Sequence, residues 1–348
     1  MTVLVRADAS ALLGSGHVAR CANLGARLRA LGRDVHFVCA DIPETLRRQL
    51  LREGFPVHRI SPWSDWQSDL AATRRVVEAI GPVSLIVVDH YALDARWESE
   101  LRCGITQVMV VDDLADRPHD CDYLLDLAPG GDAAARYSHL VPEGTLTWFG
   151  PQYALLRPEF DAEDVCRDRD GIVRDILVYL GGGVTRADML PLLCAIAESA
   201  PQDVRTKVLL GYAFPDPLDV ARFVDGEPRI EVLEPTEQVL ALVRWADLGI
   251  GACGGAGWER CAVGLPSIAV TTAANQTLNA AALRDAGAIK YLGPIEGVRM
   301  GDWESSIREL LGDPEQVRTM GIDAHDLTAG RRDRIREMVT ILAAVGRD

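Results

Sequence analysis

The sequence predicts an α/β protein made of two Rossmann-like domains that face a central cleft. Three observations support this fold class. Short apolar runs alternate with amphipathic helical stretches along the whole chain, a pattern typical of doubly wound sheets. The alternation occurs twice and is interrupted by a charged segment without apolar periodicity, residues 157–174. The 348 residues also suffice for two domains that each bury a core.

The first half of the chain begins with an apolar run at residues 3–5, which predicts a strand. A helix is expected over 17–31, where apolar residues recur every three or four positions until Gly32 ends it. A second helix is expected over 44–53. Further strands are expected at 35–39, 85–89, 107–112 and 123–127.

The second half repeats this scheme. Strands are expected at 176–180, 207–210, 230–233, 248–251, 267–271 and 289–292. A helix is expected over 236–246, with Thr236 as its N-cap. Taking 157–174 as a linker gives an N-terminal domain, 1–156, and a C-terminal domain, 175–348. Ligands of open α/β sheets bind at the carboxyl ends of the strands, which we expect to face the cleft.

The composition is that of an ordinary globular protein, with 48% hydrophobic residues, 25% charged residues and a formal net charge of −15. An acidic surface repels nucleic acid and anionic lipid, so neither is expected as a partner. The N-terminal apolar run is too short for a signal peptide, and no stretch of about twenty apolar residues occurs. We therefore expect a cytoplasmic protein without membrane insertion, and we favour a monomer.

The eight cysteines form no C-x-x-C pair, which favours reduced, buried thiols over a zinc site. No group of His, Asp and Glu has the spacing of metal ligands, so we expect a mechanism that needs no metal. No other cofactor is predicted.

The first glycine-rich turn, Gly14-Ser15-Gly16-His17, opens the predicted helix. Glycine lets the backbone approach a ligand closely, and a helix start offers free N–H groups to an anion. An ordinary tight turn between a strand and a helix would show the same glycines. A histidine at this point would face the cleft, where a side chain that titrates near neutral pH serves as a base. His17 is therefore the leading catalytic candidate.

Two further glycine-rich turns lie in the second half. Residues 181–183 are three glycines, which indicates either close passage of a ligand or a flexible loop. The turn from Gly251 to Gly257 lacks the Gly-Lys-Ser/Thr of a P-loop. It offers a nest of small residues at a helix start, suited to a diphosphate. Glu259, expected in the first helical turn, either complements the helix dipole or binds both hydroxyls of a ribose.

As a set, these motifs resemble the glycosyltransferase-B (GT-B) superfamily. The resemblance is to the relatives of MurG and, among them, to the UDP-sugar hydrolases of pseudaminic acid biosynthesis. Each motif is weak alone, but they recur in order across nearly the whole chain. They are residues 6–10, 14–20, 88–91, 112–113, 150–157, 181–183, 254–255, 258–261, 264–266 and 275–276.

The resemblance implies two Rossmann-like lobes, with UDP held mainly by the C-terminal lobe. It implies that Glu259 binds the ribose and that the turn at Gly254 and Gly255 binds the diphosphate. Members of the family usually have Ser or Thr in the turn before Trp-Glu. This chain has no hydroxyl there, a departure that bears on nucleotide affinity or substrate identity.

The resemblance also implies the reaction. His17 matches the histidine that activates water for attack on the anomeric carbon, and Tyr91 and Asn275 match active-site positions near the sugar. The implied substrate is UDP-2,4-diacetamido-2,4,6-trideoxy-β-L-altropyranose. The substrate-binding residues expected on this basis are Gly14, Gly16, Arg20, Asp89, Gly182, Gly254, Gly255, Glu259 and Gln276.

Some of these positions have a plainer interpretation. Asp89, Asp112 and Asp113 end predicted strands, where carboxylates either orient the site or cap the next turn. His90 is expected to pack at a strand end, and His119 is expected at the surface.

Tyr91 either hydrogen-bonds to the sugar or caps the edge of the sheet. Asn275 and Gln276 either bind acetamido or hydroxyl groups or form an Asx-type turn.

Two other functions fit parts of this pattern. A MurG-like glycosyltransferase would pass the sugar to an acceptor and would usually present an apolar or basic membrane-docking patch. The acidic charge balance argues against such a patch. A non-catalytic nucleotide-sugar sensor would keep Glu259 and the glycine turns but would not need His17.

Overall fold

Strands and helices alternate through both halves of the chain in this computed structural model, as the apolar pattern predicts. The structure describes residues 1–10, 13–62, 65–102, 107–128, 132–181, 184–211, 214 and 217–346. They form two compact units: Met1–Pro158 together with Gly330–Asp348, and Glu159–Ala329.

The first unit contains a parallel sheet. Its strands are β1 (Thr2–Ala7), β2 (Asp34–Cys39), β3 (Val57–Arg59), β4 (Val83–Asp89), β5 (Gln107–Val111), β6 (Tyr123–Asp126) and β7 (Leu146–Phe149). They lie in the order β3-β2-β1-β4-β5-β6-β7, and every neighbouring pair is parallel. The helices are α1 (Gly16–Ala30), α2 (Glu44–Arg52), α3 (Trp66–Ile80), α4 (Ala95–Arg102) and α5 (Ala133–Tyr137), and a 3-10 turn covers Pro151–Tyr153.

The second unit contains another parallel sheet. Its strands are β8 (Asp175–Tyr179), β9 (Arg205–Leu209), β10 (Ile230–Leu233), β11 (Leu248–Ala252), β12 (Ser267–Thr271) and β13 (Ile289–Pro294). They lie in the order β10-β9-β8-β11-β12-β13. The helices are α6 (Arg186–Ser199), α7 (Pro217–Phe223), α8 (Val239–Trp245), α9 (Gly255–Ala262), α10 (Thr277–Asp285), α11 (Met300–Gly312) and α12 (Pro314–Leu327). Short 3-10 turns cover Pro158–Asp161, Ala274–Gln276 and Ile295–Gly297.

The predicted fold class, two parallel-sheet α/β domains, is confirmed. Each sheet has one point where the order of strands reverses, between β1 and β4 in the first and between β8 and β11 in the second. Ligands of doubly wound sheets bind there, outside the carboxyl ends of the strands. In the first unit, α1 follows β1 and Asp89 ends β4. The reversal point therefore lies beside the predicted His17 turn.

The last helix, α13 (Arg331–Ala344), packs on the first unit. The prediction that 175–348 forms one domain is therefore wrong at its C-terminal end. Apolar residues of α13, among them Met338 and Leu342, lie in the same core as β1 and α1. Nη1 of Arg33 donates to the carbonyl of Val345 at 2.7 Å, just beyond the helix end. The apolar face of α13 thus completes the first core.

The predicted linker, 157–174, also differs from the structure. From Glu159 onward it belongs to the second unit. Phe160 is buried, and so is Arg169, whose guanidinium donates to backbone carbonyls of the second unit, including Val263 at 2.9 Å. The charged composition suggested a solvated segment, but the guanidinium of Arg169 is buried and donates hydrogen bonds to backbone carbonyls.

Two smaller features also differ from the prediction. The helix predicted over 236–246 begins only at Val239, and its N-cap is Gln238. Thr236 instead accepts a hydrogen bond from the N–H of Gln238 at 3.1 Å, which makes a turn before the helix. Edge strands β3 and β7 have three and four residues and were not predicted, because polar residues interrupt their apolar runs.

Among the described residues, no helix has both the length and the apolar character to cross a membrane.

The packing of α13 predicts where a core substitution acts. Leu342→Ala should lower the free energy of unfolding of the first unit by about 2–4 kcal/mol, because it leaves a cavity in that core. Hydrogen exchange with mass spectrometry should show lost protection in β1 and α1 and none lost in 159–329. The exposed Glu337→Ala on the same helix is the control. Lost protection confined to 159–329 would contradict the assignment.

Candidate active site

The turn between β1 and α1 contains the two glycines for which ligand binding is predicted. Gly14 has φ +74°, a left-handed conformation that glycine adopts without strain, and it forms an antiparallel bridge with Ser10. Among the described residues, which leave out 11 and 12 of this turn, a side chain added at Gly14 or Gly16 would meet no heavy atom within 4 Å. The described part of the turn therefore leaves space at this helix start.

His17 is the second residue of α1 and is held by its neighbours. Its Nδ1 lies 2.5 Å from Oδ1 of Asp89. The ring of Tyr91 meets the imidazole edge-on, with centroids 4.6 Å apart and an interplanar angle of 88°. Because a carboxylate only accepts hydrogen bonds, Nδ1 must carry the proton. In the neutral imidazole Nε2 then holds the free lone pair, and within the described part of the chain Nε2 makes no hydrogen bond.

Asp89 is fully buried at the end of β4 and is neutralised by Arg20. Nε of Arg20 lies 2.6 Å from Oδ2, and Nη2 lies 2.7 Å from Oδ1. Burial alone would raise the pKa of Asp89, but the charges and hydrogen bonds of Arg20 and His17 hold it well below its usual range. Asp89 therefore stays ionised and fixes both the tautomer and the orientation of His17.

Arg20 also reaches Asp113, with 3.3 Å between Nη1 and Oδ2. Its donors thus serve two carboxylates of the protein, which gives Arg20 a structural reason to be at this site. Substrate binding by Arg20 remains a prediction.

The two aspartates that follow β5 have different roles. Asp112 accepts from the N–H of Ala115 at 2.9 Å and from the hydroxyl of Tyr137 at 2.7 Å, so it caps a turn. Asp113 instead faces Arg20 and joins the His17 cluster. Of the two interpretations left open for this pair, capping fits Asp112 and orienting the site fits Asp113.

Asp126 is a buried carboxylate near Asp113 that was not predicted from the sequence. It ends β6 and is fully buried. Burial, with the nearby charges of Asp113 and Asp112, raises its pKa to about 6, although Arg136 contacts it. Its place at a strand end, like that of Asp89, was the available signal.

Two histidines outside the cluster also need comment. His90 packs against the buried Asp8, with Nε2 3.2 Å from Oδ2, in agreement with its expected packing role. His119 is buried, with Nδ1 2.8 Å from Oε1 of Glu98, so the expectation of a surface position is wrong. The charged residues around it in the sequence hid the buried acceptor.

The second unit holds the predicted nucleotide-binding residues. Helix α9 starts at Gly255 directly after β11, and no side chain caps it. An added side chain at Gly255 would meet nothing within 4 Å. Glu259 is buried and is the fifth residue of α9, beyond its first turn. The prediction that Glu259 lies in the first helical turn is therefore wrong. The interaction with the helix dipole falls off beyond that turn, which disfavours a role limited to the dipole.

The predicted amides follow β12. Gln276 folds back on its own turn, where Oε1 accepts from the N–H of Thr272 at 3.0 Å. Its Nε2 would lie 3.4 Å from a side chain added at Gly254, so Gln276 borders the α9 turn. Asn275 is exposed beside it. Gly182 lies outside the described residues.

The cysteines among the described residues are free thiols, and most of them are buried. Seven cysteines are free, and burial raises the pKa of Cys253 to about 11 and that of Cys261 to about 12. Cys166 is exposed, contrary to the expectation of buried thiols. Within the described ranges, no group of three or more His, Cys, Asp or Glu side chains is arranged to hold a metal ion.

No protein-family model matches the chain. The spore coat polysaccharide biosynthesis protein SpsG of Bacillus subtilis is 31% identical to it over 157 residues, which make up 44% of this chain and 45% of SpsG. The UDP-2,4-diacetamido-2,4,6-trideoxy-beta-L-altropyranose hydrolase of Campylobacter jejuni is 28% identical over 211 residues, 60% of this chain and 68% of that protein. The matches thus span about half to two thirds of these relatives.

Among solved structures, MurG of Acinetobacter baumannii is similar to this chain with a TM-score of 0.61 and 16% sequence identity. The similarity covers 97% of this chain and 99% of MurG. At this identity the likeness shows the fold alone. The chain has the two-domain GT-B fold.

The burial of Asp89 between Arg20 and His17 predicts that substitutions of Asp89 and Arg20 have strongly non-additive effects on the free energy of unfolding. Asp89→Asn and Arg20→Met should each lower the free energy of unfolding by about 3 kcal/mol, because each leaves a buried group uncompensated. The double variant should cost clearly less than the sum, as measured by urea unfolding. Since the pKa of Asp89 is lowered in the folded protein, its stabilisation is present above about pH 4 and is lost as the pH falls further.

The control is the exposed pair Glu315 and Arg318, 3.1 Å apart, for which the same cycle should give a coupling near zero. Additive costs for Asp89 and Arg20 would mean that Arg20 does not hold Asp89.

Proposed function

We propose that this protein hydrolyses a UDP-sugar and that His17 is the base that activates water. The observation on which the proposal rests is the contact between Nδ1 of His17 and the ionised Asp89, which leaves Nε2 as the proton acceptor. A histidine with this support is suited to general base catalysis, which typically accelerates a reaction by 10²–10⁴-fold. The names of the relatives point to polysaccharide biosynthesis and to hydrolysis of a UDP-sugar.

The chemistry follows from these groups. Nε2 of His17 takes a proton from water while the water oxygen forms a bond to the anomeric carbon. The bond between that carbon and the β-phosphate oxygen breaks, and its electron pair leaves with UDP. Attack from the face opposite the leaving group inverts the anomeric centre. Asp89 stabilises the imidazolium that forms, and the proton passes to solvent afterwards.

In the second unit, the start of α9 would hold the diphosphate. The first N–H groups of a helix have no intrahelical acceptor, and they stabilise the charge that develops on the leaving group. Among the described residues, nothing lies within 4 Å of a side chain added at Gly255, and Gln276 borders Gly254. Glu259, buried one turn further along, would accept hydrogen bonds from the ribose hydroxyls.

The sugar we propose is a diacetamido-trideoxy hexose, as in the substrate named for the Campylobacter relative. Tyr91, against the imidazole of His17, and Asn275, exposed after β12, would contact it. Acetamido groups both donate and accept hydrogen bonds, which phenol and amide side chains match.

Sugar transfer to an acceptor is the second candidate, because the fold is shared with MurG. The two functions differ in what happens when no acceptor is present. Purified protein incubated with UDP-sugars alone should release UDP and free sugar in equal amounts. Release only after addition of an acceptor would establish a transferase, and binding without release would establish a sensor.

The role of His17 predicts a split between binding and turnover. His17→Asn should lower kcat at least about 10³-fold, while the Kd for UDP changes by no more than about twofold, because the base does not touch the nucleotide. Calorimetry gives the Kd, and a coupled assay of UDP release gives kcat. The matched control is His139→Asn, at an exposed histidine of the same unit. Parallel loss of binding and turnover would make His17 a structural residue.

A further inference from the structure

Arg260 is a buried cation that has no carboxylate partner among the described residues. It belongs to α9 and is 3% exposed. Its Nε donates to Oγ of Ser267 at 2.9 Å, and Nη2 donates to the carbonyl of Ala252 at 2.9 Å. Nη1 is buried and makes no hydrogen bond. Among the described residues, no Asp or Glu forms an ion pair with it.

Strand β11 is shaped to accept this side chain. A side chain added at Gly249 would lie 2.7 Å from Cδ of Arg260, and one at Gly251 would lie 2.5 Å from Nη1. Both glycines lie on one face of the strand, two residues apart. The guanidinium thus lies between α9 and β11, in space that the two absent side chains leave.

An unpaired buried charge is costly, and an apolar side chain of similar volume would fill the same space without that cost. Burial lowers the pKa of Arg260, and the neighbouring Cys253, Cys261 and Glu259 offset this only in part. The protein alone therefore leaves the charge under-compensated. An anion bound nearby would supply what is missing.

The guanidinium lies close to one feature that attracts anions, the start of α9. Nη2 lies 3.8 Å from the point that a side chain on Gly257 would occupy, beneath the first turn of α9. Residues 254–257 are Gly, Gly, Ala and Gly, so the turn itself has no polar side chain. The N-terminus of α9 attracts anions through its N–H groups and dipole. Arg260 adds a full positive charge between α9 and β11.

We propose that Arg260 is a positioning residue for a diphosphate bound at the start of α9, and that it acts through space from beneath the turn. This inference rests on the proposed function, in which UDP is the leaving group. It identifies Arg260 as a cation that stabilises the diphosphate of that leaving group. Because the interaction is with charge, Arg260 should strengthen binding of the diphosphate and leave binding of the nucleoside unchanged. The expected contribution is about tenfold in affinity.

The test compares UDP, uridine and inorganic pyrophosphate by calorimetry on the full chain. Arg260→Met should weaken UDP and pyrophosphate about tenfold and leave uridine unchanged. Arg260→Lys keeps the charge and loses the contact geometry, so it should retain most of the UDP affinity. Without ligand, Arg260→Met should unfold at the same denaturant concentration as the wild type or higher, because it removes an unpaired buried charge. If Arg260→Met does not fold, Arg260→Gln takes its place as the neutral variant.

Several results would overturn the inference. They are equal weakening of uridine and UDP by the neutral variant, unchanged UDP affinity in that variant, and a Lys variant as weak as the Met variant. Failure of the proposed function is distinguishable. A wild-type protein that binds UDP and pyrophosphate in an Arg260-dependent way but hydrolyses no UDP-sugar would refute the hydrolase and support the role of Arg260.

Discussion

The carboxylate of Asp89, fully buried between Arg20 and His17, is the group on which the rest of the site depends. Arg20 keeps it ionised in spite of its burial, and the ionised carboxylate in turn decides which nitrogen of His17 carries the proton. The open glycine turn and the edge of the Tyr91 ring then surround a histidine whose orientation is already fixed. Without this one interaction, His17 would be a partly free helix-start residue with either tautomer available.

Much of this arrangement is predictable from local pattern. Apolar runs of three to five residues predicted the central strands, because strands buried on both faces need them. Asp89 was expected at a strand end, where it either orients the site or caps a turn, and the carboxyl ends of parallel strands meet at one edge of a sheet. The glycines before His17 predicted an open turn, and the positive φ of Gly14 supplies a physical reason for one of them.

Other features depend on packing between distant segments, which local pattern does not encode. Helix α13 has an ordinary amphipathic sequence, and only the unfilled face of the first core determines where it docks. The charges of Arg169 resemble those of a solvated linker until their carbonyl acceptors are known. Arg260 is the clearest case, because no local pattern links it to Gly249 and Gly251, whose missing side chains leave the space for its guanidinium.

The most direct test of this account is the tautomer of His17. In ¹⁵N-labelled protein, a two-bond ¹H–¹⁵N correlation spectrum at alkaline pH distinguishes the protonated from the bare ring nitrogen, and His17→Asn assigns the signal. The account predicts a proton on Nδ1 and a bare Nε2, with this preference lost in Asp89→Asn. A proton on Nε2 in the wild-type protein would contradict it, because Nε2 would then have no lone pair to offer to water.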